Sequence, residues 1–255
     1  MKLKIGKERL FFLIIAIWIL LSTFVAFVVD IVYTKSQNEY ISPNGISFEY
    51  FFGHFSPFIF FTYQSNFMLA VGCFLIYFKF SQKHQRLYFA FVSLITITFL
   101  VYWALISWKS NTWKNPGTAI KSLTTHLINP SLGFVGLFFI RRSLVVDHRL
   151  FFKAGLYVLG YFVFALLLYF FTYGNYEAIN KEGQKYSVHD GGTIYSFLNF
   201  TKPLFYKEKS VLIVVFLDIL ILFVAILIPF GCSYFWKWAF KIRLEKKPLF
   251  KKEKQ

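Results

Sequence analysis

Six long apolar runs alternate with shorter polar segments along the 255-residue chain. Each run has about 19 residues or more, which at 1.5 Å per residue lets a helix cross about 30 Å of hydrocarbon. The runs cover approximately residues 10–29, 57–78, 87–108, 122–140, 154–173 and 210–236. The pattern predicts an all-α polytopic membrane protein, in which a six-transmembrane-helix bundle forms a single domain over residues 1–255.

The overall composition agrees with this pattern. Hydrophobic residues make up 57% of the chain and charged residues only 16%, whereas soluble domains average about 45–50% and about 25%. Such continuous apolar runs differ from the alternating pattern of a membrane β-barrel. Helices are therefore the expected spanning elements, because a helix satisfies its own backbone hydrogen bonds in lipid.

The formal net charge of +16 is distributed unevenly across the predicted bundle. If the amino terminus is cytoplasmic, 19 of the 28 Lys and Arg residues fall in cytoplasmic segments. They are Lys2, Lys4, Lys7, Arg9, Lys79, Lys83, Arg86, Arg141, Arg142, Arg149, Lys153 and eight residues from Lys237 to Lys254. This positive-inside distribution predicts a multi-pass cell-membrane protein with both termini cytoplasmic.

The segment 237–255 is interpreted as a basic cytoplasmic tail that anchors the topology and binds anionic lipid headgroups. A nucleic-acid-binding arm is the alternative interpretation, but membrane lipids are the expected partners and no nucleic acid is. Cys73 and Cys232 both lie within predicted spans, so they indicate neither a metal site nor a disulfide framework. No cofactor is expected.

The second run contains an unusual polar stretch, FFTYQSNFML, at residues 60–69. The helical period places Thr62, Ser65 and Asn66 on one face, while Gln64 points elsewhere. Polar side chains in membrane helices often only hold helices together, and this is the alternative to a functional role.

The fourth run carries His126, Asn129 and Pro130 on one side of its predicted helix. Proline has no N–H, so the carbonyl four residues earlier loses its helical donor. That carbonyl belongs to His126. The backbone is therefore expected to open and kink at the histidine itself.

Asp218 is the one charged residue of the sixth run, and a carboxylate inside a membrane should face the bundle interior. Counted from the outer end of each span, Thr62, His126 and Asp218 lie at similar depths, roughly 7–14 Å below the outer surface. A hydroxyl near a histidine that a carboxylate orients is the arrangement of an activated nucleophile. Asn66 would then help to hold the oxyanion.

Three segments together resemble the androgen-induced membrane hydrolases, which are six-span enzymes that cleave fatty-acid esters of hydroxy fatty acids, and their uncharacterised bacterial six-span relatives. The first is FFTYQSNFML, and the second is THLINPSLGF at 125–134, with a histidine followed by a proline. The third is YSFLNF at 195–200, in which Ser196 stands where the family has proline.

This resemblance implies that Thr62 and His126 form a catalytic pair and that the substrate is a lipid ester. Asp218 belongs to none of the matching segments, so its place in the site follows from depth alone. Two other functions remain open. One is a small-solute or ion transporter or channel with a relay through His126 and Asp218, and the other is a non-catalytic membrane protein that keeps the fold.

Overall fold

The structure is a computed structural model of the whole chain. It describes residues 5–32, 40–42, 45–108, 111–179, 183–206, 208 and 210–245. Residues 246–255 of the predicted basic tail lie outside the described residues.

The prediction of six long apolar helices is confirmed. Each predicted run overlaps one helical segment that is long and apolar enough to cross a membrane, and extends at most two residues past its ends. The segments are Arg9–Val32, Glu49–Phe78, Gln82–Ile106, Pro116–Ile140, His148–Phe171 and Val211–Ala239. The helices proper are α1 (Ile5–Val32), α2 (Glu49–Phe52), α3 (Phe61–Phe78), α4 (Gln82–Val101), α5 (Pro116–Leu123), α6 (Asn129–Ile140), α7 (His148–Phe171) and α8 (Val211–Ala239).

The second segment is interrupted before its apolar part begins. A 3₁₀ turn over Gly53–Phe58 separates α2 from α3 and contains Pro57. Gly53 adopts φ +48°, a left-handed conformation that glycine tolerates. The regular helix therefore starts at Phe61 rather than at the predicted residue 57, so Thr62 lies in its first turn.

Short strands accompany the helices, and the sequence analysis did not predict them. They are β1 (Ile41–Ser42), β2 (Gly45–Ser47), β3 (Val145–Asp147), β4 (Gly174–Ile179), β5 (Lys185–Asp190), β6 (Gly192–Thr193) and β7 (Arg243–Glu245). β4 and β5 form an antiparallel hairpin, and β1, β2 and β6 form a small sheet. β3 and β7 pair in parallel. The all-α class thus holds only in the sense that helices dominate.

The chain separates into two compact units. Unit 1 contains residues 1–26, 61–157 and 226–255, and unit 2 contains residues 27–60 and 158–225. The single six-span domain stays a prediction.

Unit 1 has an apolar core between α1, α3, α4 and α6. Its buried members on these helices are Phe12, Ile15, Ala16, Ile19, Leu69, Ala70, Cys73, Ile76, Tyr88, Phe89, Val92, Ile95, Leu137 and Ile140. Two glycines of α6 let the helices approach closely. A Cβ on Gly133 would lie 2.9 Å from the Leu69 side chain, and one on Gly136 would lie 2.2 Å from the Tyr88 hydroxyl.

A network of charged residues joins three segments at the β3–β7 end of unit 1. Arg86 donates from Nε to the Val145 carbonyl at 2.7 Å and from Nη2 to Glu245 Oε2 at 2.8 Å. Its Nη1 lies 3.5 Å from Asp147 Oδ2. The start of the predicted tail is thus helix and strand, because α8 continues to Ala239 and β7 pairs with β3.

Unit 2 contains the β4–β5 hairpin and the β1–β2–β6 sheet. Ile41, Ile46, Ala178 and Val188 form a small buried apolar cluster there. This cluster gives the segment after α7 an apolar core of its own.

Candidate functional site

The predicted polar face of α3 is buried in unit 1. Ser65 and Asn66 are 0% exposed, and Thr62 is half-buried. The Ser65 hydroxyl lies 2.7 Å from the Thr98 hydroxyl on α4. Gln64 points away from this face, and its side chain accepts a hydrogen bond from Tyr157 at 2.6 Å.

The fourth segment opens where Pro130 predicts. A π-helical turn covers Thr124–Ile128, between α5 and α6. In this turn the Asn129 N–H donates to the Thr124 carbonyl, so the Thr125 carbonyl loses its usual helical donor. The His126 carbonyl loses its donor as well, because Pro130 has no N–H.

Side chains from two other helices supply the missing donors. Asn66 Nδ2 donates to the Thr125 carbonyl at 3.1 Å, and the Trp103 indole donates to the His126 carbonyl at 3.1 Å. An unpaired carbonyl in an apolar interior is costly. These two bonds therefore hold α3 and the third segment against the opened turn.

Asn66 also joins the opened turn to the nucleophile candidate, because its Nδ2 donates to the Thr62 carbonyl at 2.8 Å. Both hydrogens of this amide are thereby used. The predicted oxyanion role of Asn66 would require one of these bonds to break.

Asn129 extends the network to α1. Its Nδ2 donates to Asn66 Oδ1 at 2.9 Å and lies 3.3 Å from the hydroxyls of Ser22 and Thr23. We call the connected set the polar layer. It consists of Ser22, Thr23, Thr62, Ser65, Asn66, Thr98, Thr125 and Asn129. His126 adjoins this layer, because it directly follows Thr125 in the opened turn.

The His126 imidazole lies flat on the phenol ring of Tyr102, with ring centroids 3.7 Å apart and an interplanar angle of 3°. Two polar atoms of this ring pair are buried without a hydrogen-bond partner in the described part of the chain, namely His126 Nδ1 and the Tyr102 hydroxyl. Buried polar atoms are usually paired, so an unpaired one needs an explanation, such as a catalytic role.

The structure thus brings four of the six predicted site residues together in the polar layer, Thr62, Ser65, Asn66 and Asn129. His126 lies beside the layer in the opened turn. Asp218 belongs to α8 and to unit 2. Its Oδ1 is buried and has no hydrogen-bond partner among the described residues. A contact between Asp218 and His126 stays a prediction.

Sequence reasoning missed six further residues at the site: Ser22, Thr23, Thr98, Tyr102, Trp103 and Thr125. The signal for three of them is visible in retrospect, since Ser22, Thr23 and Thr98 are hydroxyl side chains inside apolar runs. Tyr102 and Trp103 gave no such signal, because aromatic residues near a span end are explained by interfacial anchoring alone.

A second polar cluster lies in unit 2, around the fully buried Asp190. Asp190 Oδ1 accepts hydrogen bonds from the Tyr169 hydroxyl at 2.5 Å and from the Gly191 N–H at 2.9 Å. Oδ2 accepts from Asn199 Nδ2 at 3.0 Å and from Lys202 Nζ at 2.9 Å. Asn199 is the amide residue of the YSFLNF segment.

Two opposing effects act on the pKa of Asp190. Burial raises it, but the hydrogen bonds from Tyr169, Lys202 and Asn199 favour the carboxylate and leave the pKa below its usual value. The carboxylate is therefore the stable form, and it accepts a hydrogen bond from each of the four donors described above. The arrangement is that of a structural clamp on the segment after α7.

Within the described residues, no group of three or more His, Cys, Asp or Glu side chains is placed to hold a metal ion. Comparison with models of known protein families, with curated proteins and with solved structures finds no match to this chain.

Proposed function

We propose that the chain is a six-span protein of the cell membrane with both termini in the cytoplasm. The six apolar helices support insertion, as do large apolar side chains that remain exposed, such as Phe171 at 85% and Leu212 at 82%. The excess of Lys and Arg in alternate connections supports the orientation.

The polar layer of this protein is proposed to be the active site of a hydrolase that acts on lipid esters. One observation carries the proposal: His126, whose ring Nδ1 is buried and unpaired among the described residues, directly follows Thr125, whose carbonyl shares the Asn66 amide with the Thr62 carbonyl. A histidine whose role was only to join helices would use its ring nitrogens for hydrogen bonds. The ring instead keeps a nitrogen available as a base.

In the proposed reaction the Thr62 hydroxyl attacks the acyl carbon of the ester. His126 takes the hydroxyl proton, and the electrons of the carbonyl bond move to its oxygen. His126 then returns the proton to the leaving alkoxide as the acyl–oxygen bond breaks. Water, deprotonated by the same imidazole, hydrolyses the acyl-threonine and regenerates the enzyme.

Hydrogen bonds to three backbone carbonyls hold Thr62 and His126 in position for this reaction. Asn66 holds the Thr62 carbonyl and the Thr125 carbonyl on one nitrogen, so the nucleophile and the residue before the base are tied together. Trp103 fixes the His126 backbone from the third segment. Preorganisation of this kind lowers the barrier because the groups do not have to be ordered during the reaction.

The packing next to the polar layer favours a hydrolase over a transporter. Next to the layer lie the fully buried Leu69, Ile95 and Leu137 of α3, α4 and α6, and the buried hydroxyls of Ser93 and Thr96 there are used in hydrogen bonds with α8. A relay across the membrane would need polar or hydrated positions there. The resemblance of FFTYQSNFML and THLINPSLGF to the androgen-induced membrane hydrolases supports the same choice.

A fluorophosphonate probe and a fluorogenic long-chain ester test the proposed activity on protein purified in detergent. Wild type should form a probe adduct on Thr62 and hydrolyse the ester, and Thr62→Val and His126→Asn should lose both reactions. The matched controls are Thr124→Val, whose hydroxyl bonds the Ile120 carbonyl, and His84→Asn, whose ring bonds the Leu75 carbonyl. An adduct that persists unchanged in Thr62→Val would overturn the proposal.

Single cysteines test the orientation after Cys73 and Cys232 are replaced by alanine. A membrane-impermeant maleimide should label intact cells at Ser187→Cys, in the β4–β5 hairpin, and should label Ser143→Cys only after lysis. The opposite pattern would reverse the proposed topology.

A further inference from the structure

Tyr102 has the features of a reacting group that the sequence did not reveal. Its side chain is 4% exposed, and its hydroxyl has no hydrogen-bond partner in the described part of the chain. Its ring is held by the stack with His126. A buried tyrosine normally finds a partner for its hydroxyl, whereas this hydroxyl is a donor without an acceptor.

The helix geometry places Tyr102 at the level of the proposed nucleophile. Ser65 and Thr98 are hydrogen-bonded across α3 and α4. Thr62 lies three residues before Ser65, and Tyr102 lies four residues after Thr98 on a helix that runs the other way. Both therefore lie about one helical turn beyond the same hydrogen bond, on neighbouring faces.

Two π-helical turns face each other at this level. One begins at Tyr102 and covers Tyr102–Ile106, and the other, Thr124–Ile128, contains His126. The Trp103 indole joins them through the His126 carbonyl. A π-turn inserts one residue into a helix and re-aims the side chains after it, and such turns are frequent at functional sites.

We propose that the Tyr102 hydroxyl is a catalytic residue that donates a hydrogen bond to the oxyanion of the ester. The inference rests on the proposed hydrolase function and supplies the donor that Asn66 cannot, since both Asn66 hydrogens are engaged. The unpaired hydroxyl then receives its acceptor only when substrate is bound, and the bond strengthens as charge develops on the carbonyl oxygen.

Tyr102 keeps all of its covalent bonds while Thr62 attacks the ester. As the Thr62 oxygen bonds to the acyl carbon, the Thr62 proton passes to His126 and the carbonyl electrons collect on oxygen. The Tyr102 O–H remains intact and donates to this oxygen. When the acyl–oxygen bond breaks, the carbonyl re-forms and the hydrogen bond to Tyr102 weakens.

The test is Tyr102→Phe, which keeps the stacked ring and removes only the hydroxyl. The rate of fluorophosphonate labelling of Thr62 and kcat for the ester should both fall about 10²–10³-fold, the usual effect of losing one oxyanion donor. Thermal unfolding should be unchanged or slightly later, because an unpaired buried hydroxyl is removed. Incorporation of 3-fluorotyrosine in place of Tyr102, which keeps the hydroxyl, should retain the labelling rate within a few-fold.

Tyr88→Phe is the matched control, because this buried tyrosine of α4 donates its hydroxyl to the Gly133 carbonyl at 2.7 Å. It should lower stability and leave kcat unchanged. A Tyr102→Phe protein that reacts as fast as wild type overturns the role of Tyr102 while the Thr62 and His126 assignment stands. If the wild-type protein shows no Thr62-dependent labelling, both the role of Tyr102 and the proposed hydrolase function are overturned. Labelling of the wild-type protein therefore distinguishes failure of the hydrolase proposal from failure of the Tyr102 proposal.

Discussion

Asn129 Nδ2 donates a 2.9 Å hydrogen bond to Asn66 Oδ1, and both side chains are 0% exposed. This amide pair joins the two helical segments that carry the proposed base and nucleophile. Interhelical hydrogen bonds of membrane proteins average only about 0.6 kcal/mol, but Asn66 makes two further bonds to backbone carbonyls.

Asn66→Leu should therefore lower the free energy of unfolding by roughly 1–3 kcal/mol, since several buried groups lose their partner together. Labelling of Thr62 should slow in parallel, because the Thr62 and Thr125 carbonyls are released. A double-mutant cycle with Asn129→Leu, measured by thermal unfolding in detergent, should give a coupling energy of about 0.5 kcal/mol or more. Ser93→Ala, which removes an interhelical bond to Ser233, is the control, and its stability loss should leave the labelling rate unchanged.

Trp103→Phe should destabilise the protein by about 1 kcal/mol, because the His126 carbonyl is left without a donor. The same change should cost less in a Pro130→Ala background, where residue 130 has an N–H to offer to that carbonyl. Unfolding of the four proteins of this cycle measures the difference. Equal penalties in both backgrounds would mean that the indole and a helical N–H do not compete for this carbonyl.

Asp190→Ala should lower the free energy of unfolding by roughly 2–4 kcal/mol. Hydrogen bonds to a charged group are worth about 1.5–3 kcal/mol each, but Lys202 is 35% exposed and its contribution is screened. Glu177→Ala in β4 is the control, because Glu177 is an exposed carboxylate and its loss should change stability by less than about 0.5 kcal/mol. Similar losses for the two variants would remove the clamp role of Asp190.

The same residue predicts a pH dependence. The pKa of Asp190 is lower in the folded chain than in the unfolded one, so the unfolded chain binds the extra proton first. The stabilisation is present above the unfolded pKa and is lost as the pH falls through the folded pKa. Thermal unfolding should show a stability difference between wild type and Asp190→Asn that shrinks on acidification. A difference that grows in acid would contradict the assignment of the carboxylate.

Arg86→Lys should loosen β7 without unfolding unit 1. Lysine keeps the charge but cannot contact Val145, Asp147 and Glu245 together, as the planar guanidinium does. Because these partners are partly exposed, a loss of about 1 kcal/mol is expected, which corresponds to about fivefold faster hydrogen exchange at Arg243–Glu245. Arg142→Lys, at an exposed position, should leave this exchange unchanged.

The sequence predicted the elements whose cause is local. Continuous apolar runs specify long helices, and the missing N–H of Pro130 specifies the opening at His126. The polar face of α3 was also predictable, because Thr62, Ser65 and Asn66 all lie within its regular helix. Strands of two or three residues were not predictable, since their pairing depends on segments far apart in the chain.

The stack of Tyr102 on His126 was not predictable for a different reason. Each of the two π-turns adds one residue to its helix, which rotates the following side chains by about 100° relative to a regular 3.6-residue period. A face extrapolated from Pro116 therefore misplaces residues within and after the second turn, such as His126, whereas Tyr102 is the first residue of its own turn and stays on the face that Gln82 sets. The cluster around Asp190 was not predictable either, because Tyr169, Asn199 and Lys202 are distant from it in sequence and come together only in the folded chain.

The parallel pairing of β3 with β7 imposes an order of events on biosynthesis. Val145 of β3 cannot pair until its partner Arg243 has been synthesised. Translation of the intervening chain takes about 5–20 s at 5–20 residues per second. During that interval Arg86 and Asp147 are already present, but Glu245 is not. The ion pair between Arg86 and Glu245 therefore forms late, after α8 has been synthesised. A nascent chain stalled inside α8 would lack this ion pair.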